Sequence, residues 1–465
     1  MNHDDLAYWS KRAADWARAY HASLRERPVR PDIDPGAFRA RIEAPVPEEP
    51  EPIERIFDDF TRLVPDAMTH WQHPRFFAYF PANAAPASML AEQLANAMAA
   101  QAMLWQTAPA ANEMEALVID WLRAGLGLPE GFTGTIHDSA TTATFSAVLT
   151  MREKALGFEG VAKGLSSMPR LRLYASAEAH SSVDKAARLS GIGQENLVRV
   201  PTRPGDPLHS MDPEALDSAI RADLAAGLRP AGVILATGGT SIGACDDIAA
   251  CIPVAKAHGL PTHVDAAWAG SAMIAPEFRR LWEGVEAADS IVFNPHKWLG
   301  AQFDASVQFL RDPAPQIATM GLRPDYLKTP GAETVVNYNE WTLPLGRRFR
   351  ALKIWFLLRA EGLSGLRQRI RNHVAWAEEA AAAIARLDGF EVVTGPILSL
   401  FTFRFRDDAT TERLLEAVNR DGRIYLTQTR HDGRYVIRVQ VGQFDCTRED
   451  VMMIPTVLQE LAGRI

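Results

Sequence analysis

Three cysteines, Cys245, Cys251 and Cys446, are too few for a disulfide framework, and no Cys/His spacing suits a zinc site. Reduced thiols packed in a core are the expectation. No apolar run is long enough to cross a bilayer, and residues 1–9 carry two aspartates instead of a basic segment leading into an apolar one. A water-soluble, cytoplasmic protein without signal peptide is therefore expected. An excess of basic residues is also missing. Lys and Arg number 49 against 57 Asp and Glu, a net charge of −8 spread along the chain, which disfavours nucleic acid or an anionic membrane as partner and leaves a small molecule. There is no internal repeat, and the only biased stretch is the alanine run 380–383.

What is present is a chain of 465 residues, long enough for two or three domains. Residues 4–24 and 53–63 have helical spacing of apolar positions between Pro-rich connectors, too few to bury their own faces, so they must pack on the rest of the chain or on a second copy. From about residue 134 the pattern becomes strand, turn, helix. Strands are expected at 134–137, 171–175, 197–200, 232–236, 263–265, 290–293 and 305–310, with helices such as 140–156, 213–226 and 247–258 between several of them; this alternation predicts a mostly parallel α/β sheet covered on both faces. Helices at 348–360 and 366–387 lead to strands at 398–405, 423–429 and 435–441 and helices near 411–419 and 448–461, a small α+β unit. The expected division is a helical segment over 1–82, a large α/β domain over 83–365 and a small domain over 366–465.

Ligands of open α/β sheets sit at the carboxyl ends of strands, and polar residues follow strand runs at four places. After Ser-Ile-Val-Phe come Asn294, Pro295, His296 and Lys297; a lysine here, beside His296 and sheltered by Trp298, suits a lowered pKa and condensation with an aldehyde, although the segment alone equally fits an exposed lysine. Asp265 ends the second run, where a carboxylate could pair with a protonated pyridine nitrogen or cap a turn. Ser139, Ala140 and Thr141 open a helix, either as an ordinary cap or as a phosphate cradle, and the Gly/Thr/Ser turn 237–241 has the same two readings. His180 follows the strand at 171–175 and could be structural or stack on a flat ring.

Taken jointly, these segments closely resemble the group II pyridoxal-phosphate (PLP) decarboxylases, in particular the aromatic-L-amino-acid decarboxylases. The resemblance rests on HPRFFAYFP, HDSATTAT, AHSSVDKA, HVDAAWAG, NPHKW, PDYLK and LPLGRRFRALK, in this order between residues 71 and 442. It implies the fold type I architecture of PLP-dependent transferases, with a seven-stranded sheet, and PLP as an internal aldimine on Lys297. Asp265 then pairs with the pyridine nitrogen, Ala267 lies against the ring, and His180 stacks on its opposite face. Ser139, Ala140, Thr141, Asn294 and His296 join the phosphate and cofactor contacts, and Ser241 takes the place of a cofactor-contacting threonine. Tyr326 becomes the acid that protonates the carbanionic quinonoid after CO₂ leaves. No metal is implied.

The same resemblance lines a substrate pocket with Trp71, Tyr79, Phe80, Pro81, Ala82 and Gly346, completed by Met103 of the partner subunit in a homodimer with interface active sites. It implies decarboxylation of tryptophan-, phenylalanine-, tyrosine- and DOPA-type amino acids to amine and CO₂. Relatives that make aldehydes tend to replace the Tyr326 or His180 equivalent, and both are kept here, which favours simple decarboxylation. The competing readings are an oxygen-dependent aldehyde synthase, another fold type I reaction such as transamination, and a catalytically silent PLP-binding protein.

Overall fold

The computed structural model describes residues 1–322 and 335–465. Seven short apolar runs form its central sheet: β1 (Thr133–His137), β2 (Leu171–Ser176), β3 (Leu197–Val200), β4 (Arg229–Ala236), β5 (Thr262–Asp265), β6 (Ser290–Phe293) and β7 (Ser306–Leu310). Their spatial order is β1-β7-β6-β5-β4-β2-β3. The pairs from β6 through β5, β4 and β2 to β3 are parallel, whereas β7 runs antiparallel to both of its neighbours. Because β7 reverses between them, β1 points the same way as β6, and the carboxyl ends of β1, β2, β4, β5 and β6 meet at one edge of the sheet. The strands are nearly continuously apolar because both faces are covered. The helix Ala140–Ala155 packs on one face, while Pro109–Leu126 and the turns at Ala269–Ile274 lie on the other side.

Polar side chains inside this layer are paired in sequence across strands. His137 Nε2 meets Gln308 Oε1 at 2.8 Å, Gln308 Nε2 donates to Ser290 Oγ at 3.0 Å, and Ser290 Oγ meets His263 Nδ1 at 2.9 Å. His263 Nε2 lies 3.2 Å from Thr144 Oγ1 on the covering helix. Such a chain satisfies groups that would otherwise be buried at a cost.

The small unit is a four-stranded antiparallel sheet of β8 (Phe390–Ile397), β9 (Leu400–Phe405), β10 (Thr427–His431) and β11 (Arg434–Gln440), ordered β10-β11-β9-β8. Helices Asp408–Asp421 and Arg448–Ala462 cover it. Three differences from expectation have physical reasons. β8, in the sequence FEVVTGPI, was not anticipated because irregular pairing with β9 and a Gly-Pro pair break its alternation. The strand expected at 423–429 starts at Thr427, since Tyr425 instead bridges to Phe76. The helices expected at 348–360 and 366–387 form one element, Arg350–Ile384, interrupted where Gly362 adopts φ +63°, a left-handed conformation open to glycine. Helices Pro86–Ala97 and Pro109–Leu126 lie in a stretch for which no helix was anticipated.

At the amino end, His3–Ser23 and Ile53–Leu63 are helical and contain no buried residue. They meet each other through Trp9 and Phe57 at 5.3 Å and Trp16 and Phe60 at 5.0 Å. No helix among the described residues is long and apolar enough to cross a membrane, and the three cysteines are free and buried.

Candidate active site

At the shared edge of carboxyl ends lies a cavity of about 190 Å³. Ten of the residues singled out from the sequence line it: Phe80, Ser139, Ala140, Thr141, His180, Asp265, Ala267, Asn294, His296 and Lys297. Phe80, Trp268 and Phe303 supply its aromatic walls, and Gly238, Gly239 and Thr240 form part of its floor. Gly238 has φ +82°, and a Cβ there would stand 2.5 Å from the Cβ of Ala269, so the turn after β4 needs glycine for both conformation and space.

Lys297 sits in a wide helical turn, Pro295–Leu299, that follows β6 directly; its own backbone, φ −86° and ψ −109°, is not helical. Neighbours hold the turn from outside. Asn83, fully buried, donates its backbone N–H to the His296 carbonyl at 3.0 Å and its side-chain amide to the carbonyls of Lys297 at 2.8 Å and Gly442 at 2.9 Å. Its Oδ1 accepts from the Phe444 N–H at 2.9 Å. The indole of Trp298 stacks on Trp268 at 5.0 Å, which stacks on Phe80 at 4.7 Å, and the Lys297 Nζ stands 4.9 Å from the Phe80 ring centroid. Burial lowers the lysine pKa to about 8, with Asp265 opposing and Arg438 assisting. Burial thus moves the amine toward its neutral form.

Asp265 closes β5, and its Oδ1 accepts the Ala267 N–H at 3.0 Å. His180 lies in the turn after β2; its Nδ1 accepts from the Ser182 N–H at 3.1 Å, so the neutral ring carries its proton on Nε2. Burial lowers the His180 pKa, the charge of Asp265 opposing. His296 is driven further, to about 3, by burial and by Lys297, and its Nδ1 accepts from the Ala305 N–H. Ser139 caps the helix Ala140–Ala155, its side chain accepting from the Thr142 N–H at 3.2 Å. Ala140 and Thr141, the first residues of that helix, line the cavity, and their N–H groups belong to its unpaired first turn at the positive end of the helix dipole.

These residues fit the expected PLP. An amine, a carboxylate and a helix amino terminus stand around one cavity, matching an aldehyde, a pyridinium and a phosphate. Asn294 contributes a buried Oδ1 that has no hydrogen-bond partner, a polar atom left for a ligand.

The remaining expected residues are placed differently. Ser241 does not line the cavity, and Thr240 does. Trp71 and Tyr79 are exposed and stack on each other at 6.0 Å, away from the lining. Pro81 and Ala82 belong to the segment leading to Asn83, and the Ala82 carbonyl accepts from Gln72. Met103 and Gly346 lie on neighbouring stretches, the Met103 carbonyl accepting from the Asn339 N–H and Gly346 lying beside the Gln101 side chain; neither reaches the cavity within one chain. Tyr326 lies outside the described residues. Asn83 and Arg438, both missed from the sequence, are polar residues within apolar context, and the Pro-Ala-Asn run after FAYF was the only available signal for the first.

The family description "Pyridoxal-dependent decarboxylase conserved domain" matches residues 35–406. An aromatic-L-amino-acid decarboxylase of Sus scrofa is 37% identical over 97% of this chain and 93% of its own. A phenylacetaldehyde synthase of Arabidopsis thaliana is 35% identical over 100% and 97%. The solved structure of Oryza sativa TDC with PLP and tryptamine superimposes with a TM-score of 0.96 at 32% identity, covering 100% of this chain and 99% of that one.

Proposed function

Since the chain belongs to the pyridoxal-dependent decarboxylase family and uses PLP as cofactor, we propose that it removes the α-carboxyl group of aromatic L-amino acids of the tryptophan, phenylalanine, tyrosine and DOPA type, releasing the amine and CO₂. The observation that carries this reading is the convergence of Lys297, Asp265 and His180 on one cavity walled by Phe80, Trp268 and Phe303.

Bound in that cavity, PLP supplies the electron sink for the pair left when the bond from Cα to the carboxylate breaks. Lys297 would hold the aldehyde end through Nζ. The Asp265 carboxylate would pair with the ring nitrogen. The helix cap at Ser139 to Thr141, with Asn294 and His296, anchors the phosphate; a neutral His296 can donate from Nε2 because Nδ1 is already an acceptor. His180, neutral and protonated at Nε2, orients the substrate from the opposite side, and Tyr326 delivers the proton to Cα.

Trp71, Tyr79, Met103 and Gly346 stand away from the cavity in a single chain. We place them in a pocket completed by a second copy in a homodimer, which the unburied faces of helices His3–Ser23 and Ile53–Leu63 also suit. A fully active monomer in sedimentation would contradict this arrangement.

A second reading, oxygen-dependent aldehyde formation, is favoured by the similarity to the phenylacetaldehyde synthase. The retained His180 and Tyr326 argue for the amine. Incubation with a panel of L-amino acids, recording amine, CO₂ and peroxide together, separates the two. Amine without peroxide supports decarboxylation, aldehyde with stoichiometric peroxide supports the synthase, and turnover of glutamate alone refutes the aromatic reading.

A further inference from the structure

Arg438 belongs to β11 of the small sheet, yet its guanidinium reaches the cavity wall. Its Cζ stands 5.0 Å from the centroid of the Phe80 ring, the same ring that lies 4.9 Å from the Lys297 Nζ. The residue is 3% exposed. One nitrogen, Nη1, donates to the Ala78 carbonyl, while Nε and Nη2 are buried without a hydrogen-bond partner. Among the described residues no carboxylate pairs with it. A cation held in a dry place without an anion is costly, so the site gains something by keeping it.

The charges that face Lys297 show what. Asp265 approaches from β5, His180 from the turn after β2, His296 from the adjoining position and Arg438 from β11, with the Tyr79 phenol beside Arg438. The two histidines are neutral, because burial lowers both. Asp265 and Arg438 are left as the fixed charges, and the first is matched once a pyridinium nitrogen lies against it. The arginine is then the unmatched charge on the ring that the amine also meets.

We propose that Arg438 is a positioning residue of this site, acting through Lys297: its unpaired charge, on the Phe80 ring that the amine also meets, adds to burial in favouring the neutral amine that condenses with the cofactor aldehyde. This rests on Lys297 being the cofactor lysine. In the step concerned, the Nζ lone pair attacks the aldehyde carbon, the carbonyl π pair moves to oxygen, the two amine protons pass to that oxygen, and it leaves as water while the nitrogen pair closes the C=N bond. An ammonium has no lone pair to begin it. A second cation beside a lysine is a known physical route to a neutral, nucleophilic amine.

The test follows the visible absorbance of the C=N bond as PLP is added to the cofactor-stripped full-length chain across a range of pH. R438M is expected to move the midpoint of the rate profile upward by ~1 unit, with bond formation about tenfold slower at neutral pH, and R438K is expected to keep the wild-type midpoint. R438Q serves as a second neutral variant should R438M not fold. An unmoved midpoint in both neutral variants overturns the proposal, as does R438K shifting as far as R438M, which would assign the effect to shape instead of charge. Wild-type protein that forms no C=N bond at any pH sinks the lysine assignment itself, a result distinct from an unmoved midpoint in a chain that does form it.

Discussion

The carbonyl of Lys297 accepts from the buried amide of Asn83, and the same side chain reaches Gly442 and the Phe444 N–H. One residue thus ties the cofactor turn to both the segment after FAYF and the small sheet. Asn83→Ala leaves those two carbonyls and one N–H buried and unpaired, each at ~1–3 kcal/mol. A loss of at least about 3 kcal/mol in unfolding free energy is expected from denaturant titration, and a wild-type midpoint would show that the node can relax. Tyr326 carries a different expectation. If it is the proton donor to Cα, Tyr326→Phe lowers amine formation by ~10²- to 10⁴-fold and raises peroxide per CO₂, both read in one coupled assay. Unchanged amine yield would move the acid role to another group. Lys297, Asp265 and His180 could be singled out from the sequence because each lies at or within a few residues of the end of an apolar run. Arg438 was not, since an arginine in the alternating run VIRVQ reads as the solvent side of a strand, whereas both faces of β11 are covered there.

At the scale of elements, β1 delivers the turn whose Ser139, Ala140 and Thr141 line the cavity, and its register against β7 depends on Gly134, which pairs with Phe309. A Cβ at this glycine would lie 2.3 Å from the Gln308 carbonyl oxygen. Backbone cannot swing aside as a side-chain end can, so Gly134→Ala is expected to cost ~1–3 kcal/mol and to weaken retention of PLP, since the helix cap at Ser139 shifts with the strand. Thermal melting and cofactor loss on dialysis measure the two effects, and a variant that melts and retains PLP as wild type would refute the argument. The seven strands of the large sheet were legible because a sheet buried on both faces writes itself as short apolar runs. β8 was not, because its outward positions are exposed and its pairing is broken.

Across the whole molecule, six histidines among the described residues are buried, and burial lowers the pKa of each, His70 included. Burial lowers His73, His137 and His263 to about 4 and His296 and His373 to about 3. Unfolding returns them to their ordinary value of 6.5, so between that value and their folded ones the unfolded chain binds more protons. Their contribution to stability is complete above pH 6.5 and is lost as pH falls toward 4. Asp246, which burial raises to about 6, and Glu178, which burial also raises, act in the opposite sense, but two carboxyls oppose six imidazoles. Melting temperature without added cofactor is therefore expected to fall steadily below pH 6.5, and a flat profile from pH 8 to 5 would contradict the buried neutral state.

The chemical identity of the site was written in the chain, because PLP chemistry requires specific residue types at strand ends and local order places them there. The sheet's composition followed from apolar periodicity for the same local reason. Only the tertiary structure decided that a residue of the small sheet, Arg438, shares an aromatic ring with Lys297, that Asn83 joins three segments, and that Thr240 instead of Ser241 lines the cavity. These depend on how distant segments pack and on which side of a covered strand faces inward, and no local pattern of residues encodes either.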